Sequence, residues 1–140
     1  MHTVQRPTLS AEASQLIIAA AEAKAVELGL AASIAVLDES GILRAFKRMD
    51  GAALVTVSSS QDKAYTAVGF GIPSHAWYPM IKDDPALLNG VPSAIDRLVI
   101  FGGGIPIKVD GDLVGGVGVG GGSHQQDREV AEAGLAALDA

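Results

Sequence analysis

The stretch that decides the fold runs Asp110-Gly-Asp-Leu-Val-Gly-Gly-Val-Gly-Val-Gly120. Its first two residues, Asp110 and Gly111, are the pair that a tight primed turn requires. The β-prone run Ile105-Pro-Ile-Lys-Val109 comes directly before this turn. Two β-prone runs joined by such a turn predict a hairpin, and a hairpin requires an antiparallel sheet.

Glycine occupies every second position at the end of this run, at Gly116, Gly118 and Gly120, with Val117 and Val119 between them. Alternation along a strand places the three glycines on one face of the sheet and the two valines on the other. A glycine face allows a helix, another backbone or a flat ligand to approach closely. We expect one of these to cover it, since glycine carries an entropic cost in a strand.

The rest of the chain supplies helices and further strands around this hairpin. Helical periodicity and capping residues predict helices at about 9–28 (capped by Thr8 or Ser10), 54–70 and 124–138. Alternation and turn residues predict strands at 33–38, 42–48, 98–101, 105–109 and 112–119. The segment 71–92 contains four prolines and is predicted to be irregular, with at most short helical turns. We therefore predict one α+β domain over residues 1–140, with a five-stranded antiparallel sheet flanked by helices.

Composition limits the classes of partner. The net charge is −6 with only 10 Lys and Arg, so a dense basic face for nucleic acid is not expected. No apolar run is long enough for a membrane span, and there is no cysteine, which fits a cytoplasmic protein. Hydrophobic residues make up 49% of a small domain, which favours burial between subunits of a homo-oligomer.

Two of the three histidines are candidate ligands. His75 lies beside Trp77 and Tyr78 in the irregular segment, where an imidazole can bind a metal or haem iron and the aromatic rings can flank a planar ligand. The same residues are also typical of a subunit interface. His124 opens the last helix, where the helix N-terminus favours a neutral imidazole that acts as a base or metal ligand, unless the ring is simply exposed. His2 lies near the terminus and is assigned no role.

The turn before the last helix is a candidate anion site. Its residues are Gly120, Gly121, Gly122 and Ser123. Free N–H groups and the helix dipole favour an anion at such a position. Alternatively, a capping box formed by Ser123 and Gln126 satisfies these donors.

Four charged residues are further candidates. Arg48 could clamp a carboxylate, or pair with Asp50 in a structural salt bridge at the end of the second strand. Lys63 and Tyr65 are two positions apart on a helix, so only one of them is expected to face inward. Lys63 could hold an anion or be solvated, and Asp127 could move a proton.

Several motifs occur in the order seen in one family: Arg48-Met-Asp-Gly-Ala52, Lys63-Ala-Tyr-Thr-Ala67, Phe101-Gly-Gly-Gly-Ile-Pro-Ile107, the run Gly111–Gly120, and Gln126-Asp127. The chain resembles the GlcG/HbpS-like family over almost its whole length and is similar to the C-terminal domain of PduO-type proteins. The resemblance implies a profilin-like, five-stranded antiparallel sheet between helices and homo-oligomers, octamers among them. It also implies that haem is a possible ligand, since some members bind it, and some members are encoded in bacterial operons for small-molecule catabolism.

Three hypotheses for the function remain open. The first is an oligomer that binds a small ligand, with haem as the candidate, between the glycine strand, segment 71–92 and a neighbouring subunit, with His75 and His124 as the metal ligands. The second is a cofactor-independent lyase, isomerase or hydrolase for a small acidic catabolite, in which Arg48 or Lys63 holds the carboxylate and His124 or Asp127 moves the proton. The third is a structural oligomer or regulatory subunit.

Overall fold

The computed structural model describes residues 1–139 as a helix-covered sheet. In chain order the elements are α1 (Ala11–Glu27), β1 (Ser33–Asp38), β2 (Leu43–Arg48), α2 (Val55–Phe70), a 3₁₀ turn (Ser74–Ala76), α3 (Trp77–Ile81), α4 (Pro85–Ala94), β3 (Gly104–Val109), β4 (Asp112–Gly120), α5 (His124–Ala136) and a 3₁₀ turn (Ala137–Asp139). None of the helices in this described part of the chain is long and apolar enough to cross a membrane.

The sheet has four strands in the order β2-β1-β4-β3, and every neighbouring pair is antiparallel. The antiparallel α+β fold is confirmed, but the prediction of five strands is wrong. Residues 98–101 form no strand. The backbone N–H of Val99 donates to the hydroxyl of Thr66 on α2, at 2.9 Å. This segment is therefore hydrogen-bonded to a helix and not to a neighbouring strand.

Helix α2 covers the glycine face of β4. A Cβ on Gly118 would collide with the carbonyl oxygen of Ser60, and a Cβ on Gly116 would stand 2.6 Å from the carbonyl oxygen of Ala64. The buried side chains of α2 that face the sheet include the small residues Ser60 and Ala64. The glycines therefore serve backbone contact between a strand and a helix, and a flat ligand does not occupy this face.

The opposite face of the sheet carries the apolar core. Val117 and Val119 of β4 are fully buried there, in one cluster with Ile34 of β1, Ile17 of α1 and Val130 of α5. The alternation of glycine and valine in the sequence thus correctly predicted the two faces of β4. The glycine face contacts the backbone of α2, and the valine face packs among core side chains.

Segment 71–92 is more helical than expected. Helix α4 runs from Pro85 to Ala94, so the prediction of at most short turns is wrong for this part. Proline is tolerated in the first turn, where its missing N–H has no intrahelical partner, and the carboxylate of Asp84 accepts the N–H groups of Ala86 and Leu87. Pro92 lies within the last turn. No residue of α4 is buried.

Candidate functional site

Two adjacent cavities open where β4 ends. The first, of about 530 Å³, lies between Thr56, Ser59 and Lys63 of α2, the turn Gly120–Gly122 and the start of α5; we call it the glycine-turn cavity. The second, of about 380 Å³, is lined by His75, Tyr78, Pro79, Ile100 and Gly102; we call it the His75 cavity. Phe101 and His124 line both cavities, so the two cavities are immediate neighbours.

A buried ion pair lies against the glycine-turn cavity. The ammonium of Lys63 donates to Oδ2 of Asp127 at 2.9 Å and to the carbonyl oxygen of Val119 at 2.8 Å. Only 3% of Lys63 and 2% of Asp127 is exposed, so the interpretation of Lys63 as a solvated lysine is wrong. The Lys63 side chain can point inward because residue 103 is a glycine. A Cβ at Gly103 would stand 2.8 Å from the Lys63 ammonium. Tyr65 is exposed, as expected if only one of the two faces inward.

The turn before α5 is already partly hydrogen-bonded. The N–H of Gly122 donates to Oδ1 of Asp127 at 2.8 Å. Ser123 and Gln126 form the predicted capping box, in which each side chain accepts the backbone N–H of the other. These contacts use N–H groups that an anion at the helix N-terminus would otherwise bind. Ser123 therefore acts as a cap and is not part of a cavity wall.

His124 is fixed as one tautomer. Its Nδ1 accepts the N–H of Gly102 at 3.3 Å, and its ring stands edge-on to Phe101. Because Nδ1 is the acceptor, the proton of the neutral imidazole lies on Nε2. His124 thus offers a hydrogen-bond donor to a ligand in either cavity, and its Nε2 is not free to bind a metal without losing that proton.

His75 can bind a metal through its Nε2, whereas His124 offers a hydrogen-bond donor at the same ring atom. Its Nδ1 is buried and has no hydrogen-bond partner within residues 1–139, so only Nε2 can reach a ligand in the His75 cavity. Burial lowers the pKa of His75, the positive charge of Arg128 lowers it further, and Glu132 partly opposes the shift. The ring is therefore held neutral at pH 7, which is the form that binds a metal.

The two aromatic residues after His75 have different roles. Tyr78 lines the His75 cavity. Trp77 does not line it, because its ring packs edge-to-face on Phe70, with the ring centroids 4.6 Å apart. The indole N–H of Trp77 is buried without a partner in the described chain. Trp77 thus packs its segment against α2 and does not flank a ligand in this cavity.

Arg48 and Asp50 lie outside both cavities. Nε and Nη2 of Arg48 donate to the carbonyl oxygen of Ala52, at 3.1 and 2.8 Å. The guanidinium thus holds the turn through a backbone oxygen and forms no salt bridge with Asp50, which is exposed. The expectation that these two residues bind a ligand has no counterpart in the cavities.

Sequence reasoning missed Thr56, Ser59 and Phe101 as lining residues. Thr56, Ser59 and Lys63 are spaced three and four positions apart, which places them on one face of α2, and this spacing could have identified the first two. Among residues 1–139 there is no group of three or more His, Asp or Glu residues that could hold a metal ion. His75 and His124 therefore form no self-contained metal site.

The comparisons with known proteins agree over nearly the whole chain. The family model described as haem degrading protein HbpS-like matches residues 9–136. An uncharacterised 15.0 kDa protein of Citrobacter freundii is 34% identical over 131 residues, which cover 94% of this chain and 92% of that protein.

Two crystal structures share the fold. That of the Klebsiella pneumoniae protein ORFY has a TM-score of 0.91 at 30% identity and covers 100% of this chain and 97% of that one. That of a complex of PduOC with haem has a TM-score of 0.87 at 32% identity and covers 94% of this chain and 95% of that one. The motifs, the fold and the family match agree, and the chain belongs to the HbpS-like family.

Proposed function

We propose that this chain binds a flat, largely apolar small ligand in the His75 cavity, and that the ligand is haem. The observation that carries the proposal is His75 itself. It is a half-buried imidazole, kept neutral by burial, which presents only Nε2 to a cavity walled by Tyr78, Pro79 and Ile100. Ligand sites are typically concave and apolar, with few polar groups, and this cavity has that character.

The relatives support haem in particular. The family is described as haem degrading, and the PduOC structure is a complex with haem. Both statements concern other proteins, and the donor set of this chain is compatible with them, because a neutral histidine is a common axial ligand of haem iron. Haem would supply an iron centre, for which His75 is the candidate ligand and Phe101 the candidate face for the porphyrin.

The catalytic alternative has less support. Lys63 and Asp127 are hydrogen-bonded to each other, so neither stands free as a base, and Arg48 is held by a backbone carbonyl outside the cavities. The proposal includes assembly into a homo-oligomer, with the octamer as the expected form. It is supported by exposed large apolar side chains on several elements, among them Leu16, Val26, Leu54, Val55 and Phe70.

The test is a haemin titration of the purified protein, followed by the Soret band. We expect a shifted band at stoichiometric haemin for the wild type and for His2→Ala, whose histidine lies in the exposed N-terminal segment. His75→Ala should weaken binding at least about tenfold and change the band position, because the iron loses its ligand.

Iron-free protoporphyrin is the matched ligand control. It should bind the wild type and His75→Ala with similar affinity, since it has no iron for His75 to ligate. Absence of any Soret shift in the wild type would refute haem binding. If His75→Ala behaved like His2→Ala towards haemin, His75 would not be the iron ligand.

A further inference from the structure

We propose that the glycine-turn cavity is a carboxylate site, and that it takes the acidic group of a ligand whose flat body lies in the His75 cavity. The second half of this statement rests on the proposed function, whereas the carboxylate site itself does not. Lys63 is a charged side chain that is only 3% exposed, and it nevertheless lines the glycine-turn cavity.

The ammonium of Lys63 has one hydrogen-bond donor left. It carries three N–H bonds, of which Val119 and Asp127 accept two. Apart from these two acceptors, the ammonium lies 5.4 Å from the centre of the Phe101 ring, which is a weaker partner than an oxygen, so an acceptor from a ligand in the cavity would be favourable. Hydrogen bonds from a charged donor to a carboxylate are about twice as strong as neutral ones.

Two further donors line the same cavity. The hydroxyl of Ser59 makes no hydrogen bond to another residue within 1–139, and the fixed tautomer of His124 leaves its Nε2–H as a donor. Lys63 and Ser59 lie on α2 and His124 lies at the start of α5, and all three line this cavity. Together they provide the several donors that the two oxygens of one carboxylate can accept.

Asp127 sets the charge of the ligand. Both of its oxygens accept an N–H, one from Gly122 and one from Lys63, so the ion pair is neutral overall. A neutral pair attracts an anion through its free donor and not through net charge. The site has no net positive charge to balance a second negative charge, so it suits a single carboxylate better than a phosphate dianion.

The two cavities are close enough for one ligand. Both are lined by Phe101 and His124, so an acidic group at the edge of a flat body beside His75 lies next to the glycine-turn cavity. A planar ring system that bears a carboxylate has this shape. The class includes a porphyrin with its propionate groups and simpler aryl carboxylates.

The first test uses benzoate and its neutral isostere benzamide, measured by thermal shift and confirmed by calorimetry. We expect benzoate to bind at least about tenfold more tightly than benzamide, because only benzoate can use the charge-assisted bond to Lys63. Ser59→Ala should weaken benzoate several-fold. Since Lys63→Met alone can unfold the protein, the double variant Lys63→Met/Asp127→Leu removes both charges, and it should abolish the preference for benzoate.

The second test compares haemin with haemin dimethyl ester, in which both propionates are masked. We expect the ester to bind at least about tenfold more weakly with the same Soret position. Equal binding of benzoate and benzamide would overturn the carboxylate site even if haemin binds. Equal binding of haemin and its ester would overturn the link between the cavities. A benzoate preference without any haemin binding would support the carboxylate site and refute the proposed function.

Discussion

The floor of the site is the contact between α2 and β4, and its wall is the segment from Gly71 to Gly103. In the floor, backbone touches backbone: a Cβ on Gly118 has no room beside Ser60. In the wall, α4 has no buried residue, and a Cβ on Gly90 would meet nothing within 4 Å. The floor supplies Lys63, which pairs with Asp127 near the start of α5, and the wall supplies His75 and Tyr78.

This difference separates two tasks. A floor in which a strand and a helix touch through their backbones has little room to change, so it fixes the position of Lys63. In the wall, the cavity-lining residues Tyr78 and Pro79 are exposed, so they can change at little cost to stability. We infer that the wall determines which flat ligand fits, whereas the floor determines that the ligand carries an acid.

The largest expected effect comes from breaking the ion pair in the floor. Lys63→Met removes one partner and leaves the carboxylate of Asp127 buried with only the Gly122 N–H, which should lower the free energy of unfolding by about 3–5 kcal/mol. Lys82→Met is the matched control in the wall, because Lys82 is exposed, and it should change stability by less than about 0.5 kcal/mol. Urea unfolding measures both, and similar losses in the two variants would contradict the comparison.

Replacing one glycine by alanine in the floor and one in the wall tests the same difference in packing. Gly118→Ala should lower the free energy of unfolding by about 3 kcal/mol or more, because the added Cβ collides with the backbone of Ser60. Gly90→Ala should be neutral or raise it by up to about 1 kcal/mol, since alanine is the better helix former and has space there. Chemical denaturation of both variants tests this. A mild effect of Gly118→Ala would mean that α2 and β4 can move apart.

The third prediction concerns the link between floor and wall. Thr66 on α2 is buried, and its hydroxyl accepts the N–H of Val99. Thr66→Val leaves that N–H without a partner and should lower the free energy of unfolding by about 1–3 kcal/mol. Ser58→Ala, an exposed hydroxyl on the same helix, is the control. If the two variants unfolded at the same urea concentration, the wall would not depend on this bond.

The smallest effect is a pH dependence of haemin binding. Only neutral His75 binds iron, so affinity should fall as the pH falls through its pKa. Burial and Arg128 lower the pKa of His75 and Glu132 partly opposes them, so affinity should hold at pH 6.5, the ordinary value for histidine, and decline only below it. A titration series from about pH 8 to about pH 5 measures this. A decline that begins near pH 7 would show that His75 is solvated.

The close contact between α2 and β4 could be predicted from the sequence, as could the position of His75 and Tyr78 at a cavity, but helix α4 and the ion pair could not. The alternation of Gly116, Gly118 and Gly120 with valine is a local pattern, and it indicated both the strand and its close packing. The burial of Lys63 depends on Asp127, which lies 64 positions later, and no local pattern reports such a pair.

Helix α4 of the wall has no comparable local signal. Its prolines predicted irregular chain, but the carboxylate of Asp84 and the position of Pro85 in the first turn allow a helix. The missing fifth strand has the same kind of cause, because a side chain of α2 takes the N–H of Val99. Arg48 was misjudged because its partner is a backbone carbonyl, which side-chain types alone do not indicate.

The most direct test of the account is a crystal structure of the protein with haemin. The account predicts that iron is bound by Nε2 of His75, that the porphyrin lies against Phe101, and that one propionate reaches Lys63 and Ser59. Haem bound elsewhere on the protein, or iron ligated by a residue other than His75, would contradict it.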